Sequence, residues 1–514
     1  MEKDVIIIGA GPTGLALACQ FIRDGIDFVI IDKKEGTTPY SKAIGVQART
    51  LEIYEQIGLA DELISLGTIT EKARMVEGGK VRGEIILKDI GEGLSPYPFL
   101  LIVEQGKHEK LLYDFIQSRG EKIFWQNELT DFSQNESGVT AQIKNANGET
   151  ENINAKFLIG CDGAKSFVRH KLGLELVGGT FERLFYVADV EIDWEFSHEA
   201  LHVCLAQNTI TAFFPMRGSD KNWRIVGTFP EGHKADEGEI LYEEVERQIV
   251  ADTELNLDIT KVNWFSVYKV HSRAVNKFSE GRCFLAGDSA HIHTPAGAQG
   301  MNTGIQDGYN LAWKLGAVIR GSASEKLLDT YNGERLANAK LLLKTTDQFF
   351  NFGASDDWFV AFFRTHIFPY IAGFAFSLDI VKKALFPLVS QIGINYRDSR
   401  LSETTGSFSV KAGDRMPYFL VDGQSFYDRL HEPKFHLIAF IDGQQNAFET
   451  KPDVLGKYAD MIDIHSLPIY PHIAEIFGTK SAFTILLRPD NYIGLITNGN
   501  APEAVQKYLA EALE

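Results

Sequence analysis

Residues 5–32 read VIIIGAGPTGLALACQFIRDGIDFVIID. An apolar β-branched run (5–8) stops at a glycine turn, an apolar helical pattern follows, and a second strand, FVII, ends on Asp32. Strand, tight turn, helix and strand make one βαβ unit of an α/β fold. Gly9, Gly11 and Gly14 stand in the spacing GxGxxG. The first permits the tight turn, the second lets the backbone approach a pyrophosphate, and the third lets helix pack on strand. The helix N-terminus then offers N–H donors and positive potential to phosphate, and Asp32 stands where a carboxylate can hold ribose hydroxyls. Ala18 and Gly25 extend the pattern. A second glycine-rich stretch, GDSAHIHTPAGAQGMNTG, lies far away at 287–304. One dinucleotide needs one phosphate turn, so this second stretch needs its own explanation.

The 514 residues suffice for two to four domains. Lys and Arg number 51 against 69 Asp and Glu, a formal charge of −18, which argues against nucleic-acid and anionic-membrane partners. Cys19, Cys161, Cys204 and Cys283 form no CxxC pair and read as reduced, buried thiols. The N-terminus enters a strand without a signal-like apolar run, so a cytoplasmic protein is expected. The most membrane-like segment, 359–378, carries Arg364, His366 and Pro369. A span needs about 20 mostly apolar residues, so a buried or interface helix pair is expected instead.

Along the chain, TLEIYEQIGLADELISLG (50–67) has helical spacing, 72–104 shortens into strands, and EQGKHEKLLYDFIQSRG (104–120) is a helix. NANG (145–148) marks a hairpin turn. Residues 180–270 are largely strand-like, RCFLAGDS (282–289) returns to a buried strand, and IQDGYNLAWKLGAVIRG (305–321) reads as an amphipathic helix. Residues 334–390 are helical and rich in Phe, and the 349–376 part reads as core or as a homodimer face. A polar stretch precedes a last segment in which strands alternate with helices.

Three further stretches, VEQGKHEKLL (103–112), GCDGAKSFVR (160–169) and GRCFLAGDSAHIHTPAGAQGMNTGIQDGYNLAWKL (281–315), together with the first motif resemble in order and spacing the class A flavoprotein aromatic monooxygenases, phenol and polyketide hydroxylases among them. The resemblance covers nearly the whole chain. It implies an FAD-binding Rossmann-like domain (1–175 with 280–340) and an interleaved antiparallel substrate sheet (72–104 with 176–279). A helical segment (341–400) and a thioredoxin-like α/β domain without redox cysteines (405–514) would follow, the last on AGDRMP (412–417) and RPDNYIG (488–494).

The resemblance also implies roles. Asp32 would bind the adenosine ribose, and Arg49 with Gln105 would contact the ribityl and pyrophosphate region. Asp162 would lie near FAD and the route of the nicotinamide donor. Asp288 would meet a ribityl hydroxyl or the pyrophosphate, while Pro295, Gly297, Gly300, Met301 and Asn302 line the flavin ring. Ala298 stands where the family often has Gly. Read singly, Asp288 and Asp162 could cap turns, Arg49 could pair with Glu52 or Glu55 at the surface, and Thr303 with Gln306 could form a capping box.

The chemistry implied is an FAD-dependent hydroxylation of an aromatic, phenolic or polyketide-like substrate, with NADPH or NADH and O2, through a flavin C4a-hydroperoxide. The cofactor carries the hard step and the protein orients and tunes it. A helix starting near Asn302–Gly304 would place positive potential against the reduced ring. No second dinucleotide fold is visible, which suits a transient nicotinamide site. Tyr268, His271 and Arg217 are the candidates for handling a phenol proton, because they lie on the expected substrate sheet. His271, His291 and His293 lack an obvious fourth ligand, and no metal is expected. Antibiotic inactivation, a non-catalytic FAD-binding protein and an NAD-linked dehydrogenase are the competing readings. The WxWxI of flavin halogenases and the GxSxG of hydrolases are absent.

Overall fold

The computed structural model describes residues 1–39, 43–230, 232–233, 240–294, 296–354, 360, 363, 367–442 and 455–514. The opening motif folds as expected. Strand Glu2–Ile8 pairs in parallel with Phe28–Asp32 on one side and Thr150–Gly160 on the other, and Cys283–Leu285 pairs in parallel beyond that. Helix Pro12–Asp24 starts on Pro12 and is stopped by Gly25 in the left-handed conformation. Strand ends fall level: Ile8 is opposite Ile31 and Gly160, and Gly160 is opposite Leu285. Backbone bonds continue past them, from Gly9 N to Ile31 O, Cys161 N to Ile8 O and Ala286 N to Gly160 O. Residues 9–14, 161–163 and 286–288 therefore emerge at one edge of one sheet. In parallel sheets that edge is where ligands bind.

The hairpin around 145–148 forms, Asn145 Oδ1 accepting from the N–H groups of Asn147 and Glu149. The helical pattern at 50–67 is two helices, Ala48–Glu55 and Ala60–Leu66, because Gly58 takes φ +73 between them.

The interleaved sheet is also present and is antiparallel except where Ala200–Leu205 runs parallel to Lys72–Glu77. Its eight strands run in the order His291–Ile292, Asp258–Ala274, Val177–Asp193, Asn222–Thr228, Ile210–Pro215, Ala200–Leu205, Lys72–Glu77 and Lys80–Ile86. Leu100–Ile102, expected in this sheet, instead pairs with Gly45–Val46 and Thr68–Thr70. Leu184, Tyr186, Ala188, Val190 and Ile192 share a core with Val245 and Ile249 of helix Tyr242–Thr253, which covers one face. Strand alternation turns Phe185, Val187 and Asp189 to the other.

The C-terminal unit is a mixed sheet in the order Glu403–Thr405, Ile493–Asn498, Phe483–Leu487, Phe435–Ile441 and Ile462–Pro468, flanked by helices Pro471–Phe477 and Pro502–Leu513. It shares a core with helix Gly300–Ile319: Trp313 and Ala317 pack with Leu401, Phe435, Leu437 and Leu509. No helix among the described residues is long and apolar enough to cross a membrane.

Candidate active site

At the edge where the parallel strands end, Gly9 takes φ +106, and a Cβ there would lie 2.3 Å from Cys161 O. A Cβ on Gly14 would lie 1.9 Å from Gly9 O, whereas one on Gly11 would meet nothing within 4 Å. The first and third glycines are thus demanded by the protein's own packing, and the second leaves space open. Asp32 Oδ2 accepts from Ala10 N at 2.7 Å and Oδ1 from Lys34 N at 2.8 Å, so its carboxylate orders the turn.

The two glycine-rich stretches meet through Thr13. Its Oγ1 lies 2.5 Å from where a Cβ on Gly287 would stand and 2.4 Å from one on Gly304. The N-terminal turn and the second stretch are therefore two walls of one edge.

The turn at 287–288 is held from below. Asp307 Oδ2 accepts from Gly287 N (2.9 Å) and pairs with His291 Nε2 (2.8 Å), while Oδ1 takes Arg335 Nε (2.6 Å). Burial pushes the Asp307 carboxyl up, but Arg335 and His291 outweigh it and hold the group below the usual carboxylate range. Arg335 also donates to Tyr396 Oη and Thr303 O. Arg169 ties the DG loop to this turn, donating to Ser289 O and Ala164 O.

Asp162 Oδ2 accepts from Val168 N at 3.1 Å, so it does cap its turn, but its Oδ1 is buried with no hydrogen-bond partner among the described residues. Asp288 receives no hydrogen bond from a described residue. Its side chain is exposed to solvent, yet surrounding protein raises its pKa by desolvation, with His291 opposing. A group both reached by solvent and enclosed by protein lies in a recess.

The following loop is pinned by Asn302. Its Oδ1 accepts from Gln47 N and Thr50 Oγ1, and its Nδ2 donates to Gly45 O and Ala298 O. Gln47 Nε2 donates to Gly297 O at 2.9 Å. Helix Gly300–Ile319 begins earlier than expected, with Gln299 as its uncapped N-cap. Thr303 consequently lies inside the helix, bonding back to Gln299 O, and Gln306 donates to Gln391 Oε1; the two form no capping box. Pro295 lies outside the described residues. A Cβ on Gly300 would lie 3.0 Å from His293 Nε2.

Ala298 sits at φ +52, in the left-handed region that favours glycine. Gly45 makes room for its methyl: a Cβ there would stand 2.7 Å from Ala298 Cβ. Gly45→Ala is expected to cost about 1–3 kcal/mol through overpacking. Adding Ala298→Gly should recover most of that. Urea unfolding of the single and double variants measures the coupling, and additive effects would contradict the contact.

Met301 Sδ lies 3.3 Å from His108 Nδ1, whose Nε2 faces Tyr54 Oη at 2.6 Å. Burial pushes His108 down to about 4. Its folded pKa lies below the unfolded value of about 6.5, so the unfolded state takes up the proton first. Stability is intact above about pH 6.5 and falls as pH drops towards about 4. The loss at pH 5.5 is about 1.4 kcal/mol for this one group. Unfolding at pH 7.5 and 5.5 should show it, and His108→Gln should flatten the difference; an unchanged difference would contradict the buried neutral imidazole.

Arg49 is directed elsewhere. It is buried, pairs with Glu52 (3.1 Å), donates to Asp490 O and lies over the rings of Tyr309 and Tyr492. Its guanidinium thus meets the C-terminal unit, and its Nε is buried with no hydrogen-bond partner among the described residues. The Glu52 pairing considered from sequence is real, but in the core rather than at the surface. Gln105 Nε2 donates to Glu109 Oε1, whose Oε2 accepts from Thr38 N.

The three proton-handling candidates are not brought into contact. Tyr268, opposite Phe185, is stacked on it at 5.9 Å between ring centres, on the face turned away from helix Tyr242–Thr253. Burial pushes its phenol up to about 12, with Arg224 opposing. His271 bonds Thr180 Oγ1, and the exposed Arg217 donates to Gly67 O. A pair that sequence reasoning missed stands on Tyr268's face. Arg224 binds Asp189 through two 2.6 Å bonds, lies over Trp264 and donates to Ala43 O. That last bond joins the sheet to the chain just before Gly45.

A bound FAD fits these features. Gly11 leaves open space, Asp162 Oδ1 has an unused acceptor, Asp288 opens into a recess, and an uncapped helix start follows the 297–299 loop. A parallel sheet with a glycine turn, a DG loop and a GD turn at one edge, interleaved with an antiparallel sheet, defines the class of flavin-dependent hydroxylase folds. Residues 2–346 match the FAD binding domain family, and the chain belongs to it. A flavin-dependent monooxygenase of Mycobacteroides abscessus is 31% identical over 99% of this chain and 100% of its own length. The 6-methylpretetramide 4-monooxygenase of Streptomyces rimosus is 37% identical over 66% of this chain, which spans 60% of that protein. The crystal structure of the flavin-dependent monooxygenase PieE with FAD and substrate has the same fold, with a TM-score of 0.82 at 20% identity over 100% of this chain and 99% of that one.

Proposed function

We propose that the chain hydroxylates an aromatic, phenolic or polyketide-like small molecule, with FAD as cofactor, NADPH or NADH as transient donor and O2 as co-substrate. The observation that carries the reading is the pairing of the strand-edge cluster with a sheet face bearing Phe185, Tyr268 and Trp264. Such a face offers ring-stacking surface to a planar substrate. The 6-methylpretetramide and PieE relatives support it.

In this reading Asp288 accepts a hydrogen bond from a ribityl hydroxyl, Asp162 lies beside FAD and the route of the nicotinamide donor, and the backbone at Gly9–Gly14 holds the pyrophosphate. FAD, when bound, supplies electron transfer from the nicotinamide and activation of O2. The N-terminus of helix Gly300–Ile319 places positive potential beside the ring and favours its negative, reduced form. Tyr268, with its phenol raised to about 12, is protonated at neutral pH. It acts as a hydrogen-bond donor that orients substrate rather than as the base. A homodimer and a cytoplasmic location belong to the same proposal. The exposed Ile367, Ile371, Leu378 and Ile380 at the helices Phe368–Ser377 and Asp379–Val389 support the former.

The test is a panel of phenols, polyketide aromatics and aromatic antibiotics incubated with flavin-loaded protein and each nicotinamide. The reading predicts substrate-stimulated nicotinamide consumption and a product heavier by one oxygen atom. Tight flavin with no stimulation by any class would favour a non-catalytic FAD-binding protein.

A further inference from the structure

We propose that His436, Asp463 and His465 form a zinc-binding site in the C-terminal unit. Strands Phe435–Ile441 and Ile462–Pro468 run parallel, with His436 directly opposite Asp463. His465 follows Asp463 by two residues and so projects from the same face. The three potential ligand atoms form a nearly equilateral triangle. His436 Nδ1 lies 3.2 Å from His465 Nε2 and 3.5 Å from Asp463 Oδ2, and His465 Nε2 lies 3.3 Å from that oxygen.

Those separations suit zinc. Tetrahedral bonds of about 2.0–2.1 Å put neighbouring ligand atoms about 3.3 Å apart, and two imidazoles with a carboxylate are a zinc-type donor set. Magnesium and calcium prefer all-oxygen sets. His436 Nε2 faces Glu432 O at 3.2 Å. A proton held there leaves the Nδ1 lone pair free to ligate, as the outer partners of metal-bound histidines do.

Access and rigidity also fit. The His436 side chain is fully buried, that of His465 is 11% exposed and that of Asp463 40% exposed, so two ligands are fixed by packing and one side opens to solvent. Water can take the fourth position. Among the described residues this is the one group of three His, Cys, Asp or Glu side chains whose ligand atoms all lie within 4.8 Å of one another. His291 and His293, by contrast, are engaged with Asp307 and Thr294 O. The bound ion would clamp the edge strand Ile462–Pro468 to its neighbour, in a unit that packs on helix Gly300–Ile319.

The test uses the flavin-loaded full chain, stripped with a chelator and titrated with ZnCl2 against a chromogenic competitor. One zinc per chain is expected, with a raised melting temperature. Asp463→Asn and His465→Gln should each weaken binding by more than about tenfold, and should abolish the zinc-dependent rise while leaving flavin content intact. Failure of the wild-type chain to hold zinc would overturn the proposal and leave a hydrogen-bonded His–Asp–His cluster. Wild-type affinity in both ligand variants would overturn it equally. Flavin content and hydroxylation are read separately, so neither result bears on the proposed activity.

Discussion

Asp307→Ala is expected to strip the protein of flavin and to cost about 3–5 kcal/mol of stability, the usual penalty for breaking a buried ion pair. Asp307 is fully buried and holds three groups at once: the Gly287 N–H, His291 and Arg335. Without it the Arg335 guanidinium keeps Tyr396 Oη and Thr303 O but loses its counter-charge in the core. Gly287, at φ +64 against Thr13, loses the bond that orients the turn carrying Asp288. Chemical unfolding and the ratio of flavin to protein absorbance measure both effects. Full flavin content with a loss below about 1 kcal/mol would show that the network does not set the turn.

Glu334→Ala should be comparably severe, through the C-terminal unit. Glu334 binds Arg488 at 2.7 and 3.0 Å and Lys314 at 2.8 Å, and also accepts from Asn310 and Ser399. Arg488 and Lys314 are fully buried. Burial already pushes Lys314 down to about 8 although Glu334 supports its charge. Removing Glu334 leaves that ammonium buried beside a guanidinium, at a cost of about 3–5 kcal/mol. Arg488 retains Asp490, which Trp313 Nε1 also contacts. Adding Lys314→Met should therefore recover a measurable part of the loss. The expected signs are a lower melting temperature and faster proteolysis between the two units. A variant as stable and protease-resistant as the wild type would contradict the interface.

The contrast between these networks and the opening motif shows what sequence could reveal. The βαβ unit and the turn after Leu285 are local patterns of sequence, although only Gly14 is demanded by a near neighbour, Gly9 O; Gly9 and Gly287 are demanded by Cys161 O and Thr13, far along the chain. Arg335 and Asp307 are 28 residues apart, and Arg488 and Glu334 154 apart, so no spacing rule connects them. A signal did exist. Helix Gly300–Ile319 reads as amphipathic, yet every residue from Asn302 to Ala317 is buried. Asp307 and Lys314 in such a helix had to be paired.

Arg49 went the other way. The resemblance implied a cofactor contact for it, while the folded chain pairs it with Glu52 and Asp490 O, leaves its Nε without a partner among the described residues, and brings Gln47 to the loop. The zinc-type triangle was illegible because it depends on strand register across a crossover between separate strands.

In the proposed flavin site the two glycine-rich stretches are its two walls. Flavin occupancy of Asp288→Ala tests it most directly. Its carboxylate receives no hydrogen bond from a described residue and opens into the recess, so the substitution should spare the fold. FAD affinity at least about tenfold weaker, the worth of about 1.4 kcal/mol, with an unchanged circular dichroism spectrum and apoprotein melting temperature, is the result predicted. Wild-type affinity in that variant would contradict the account.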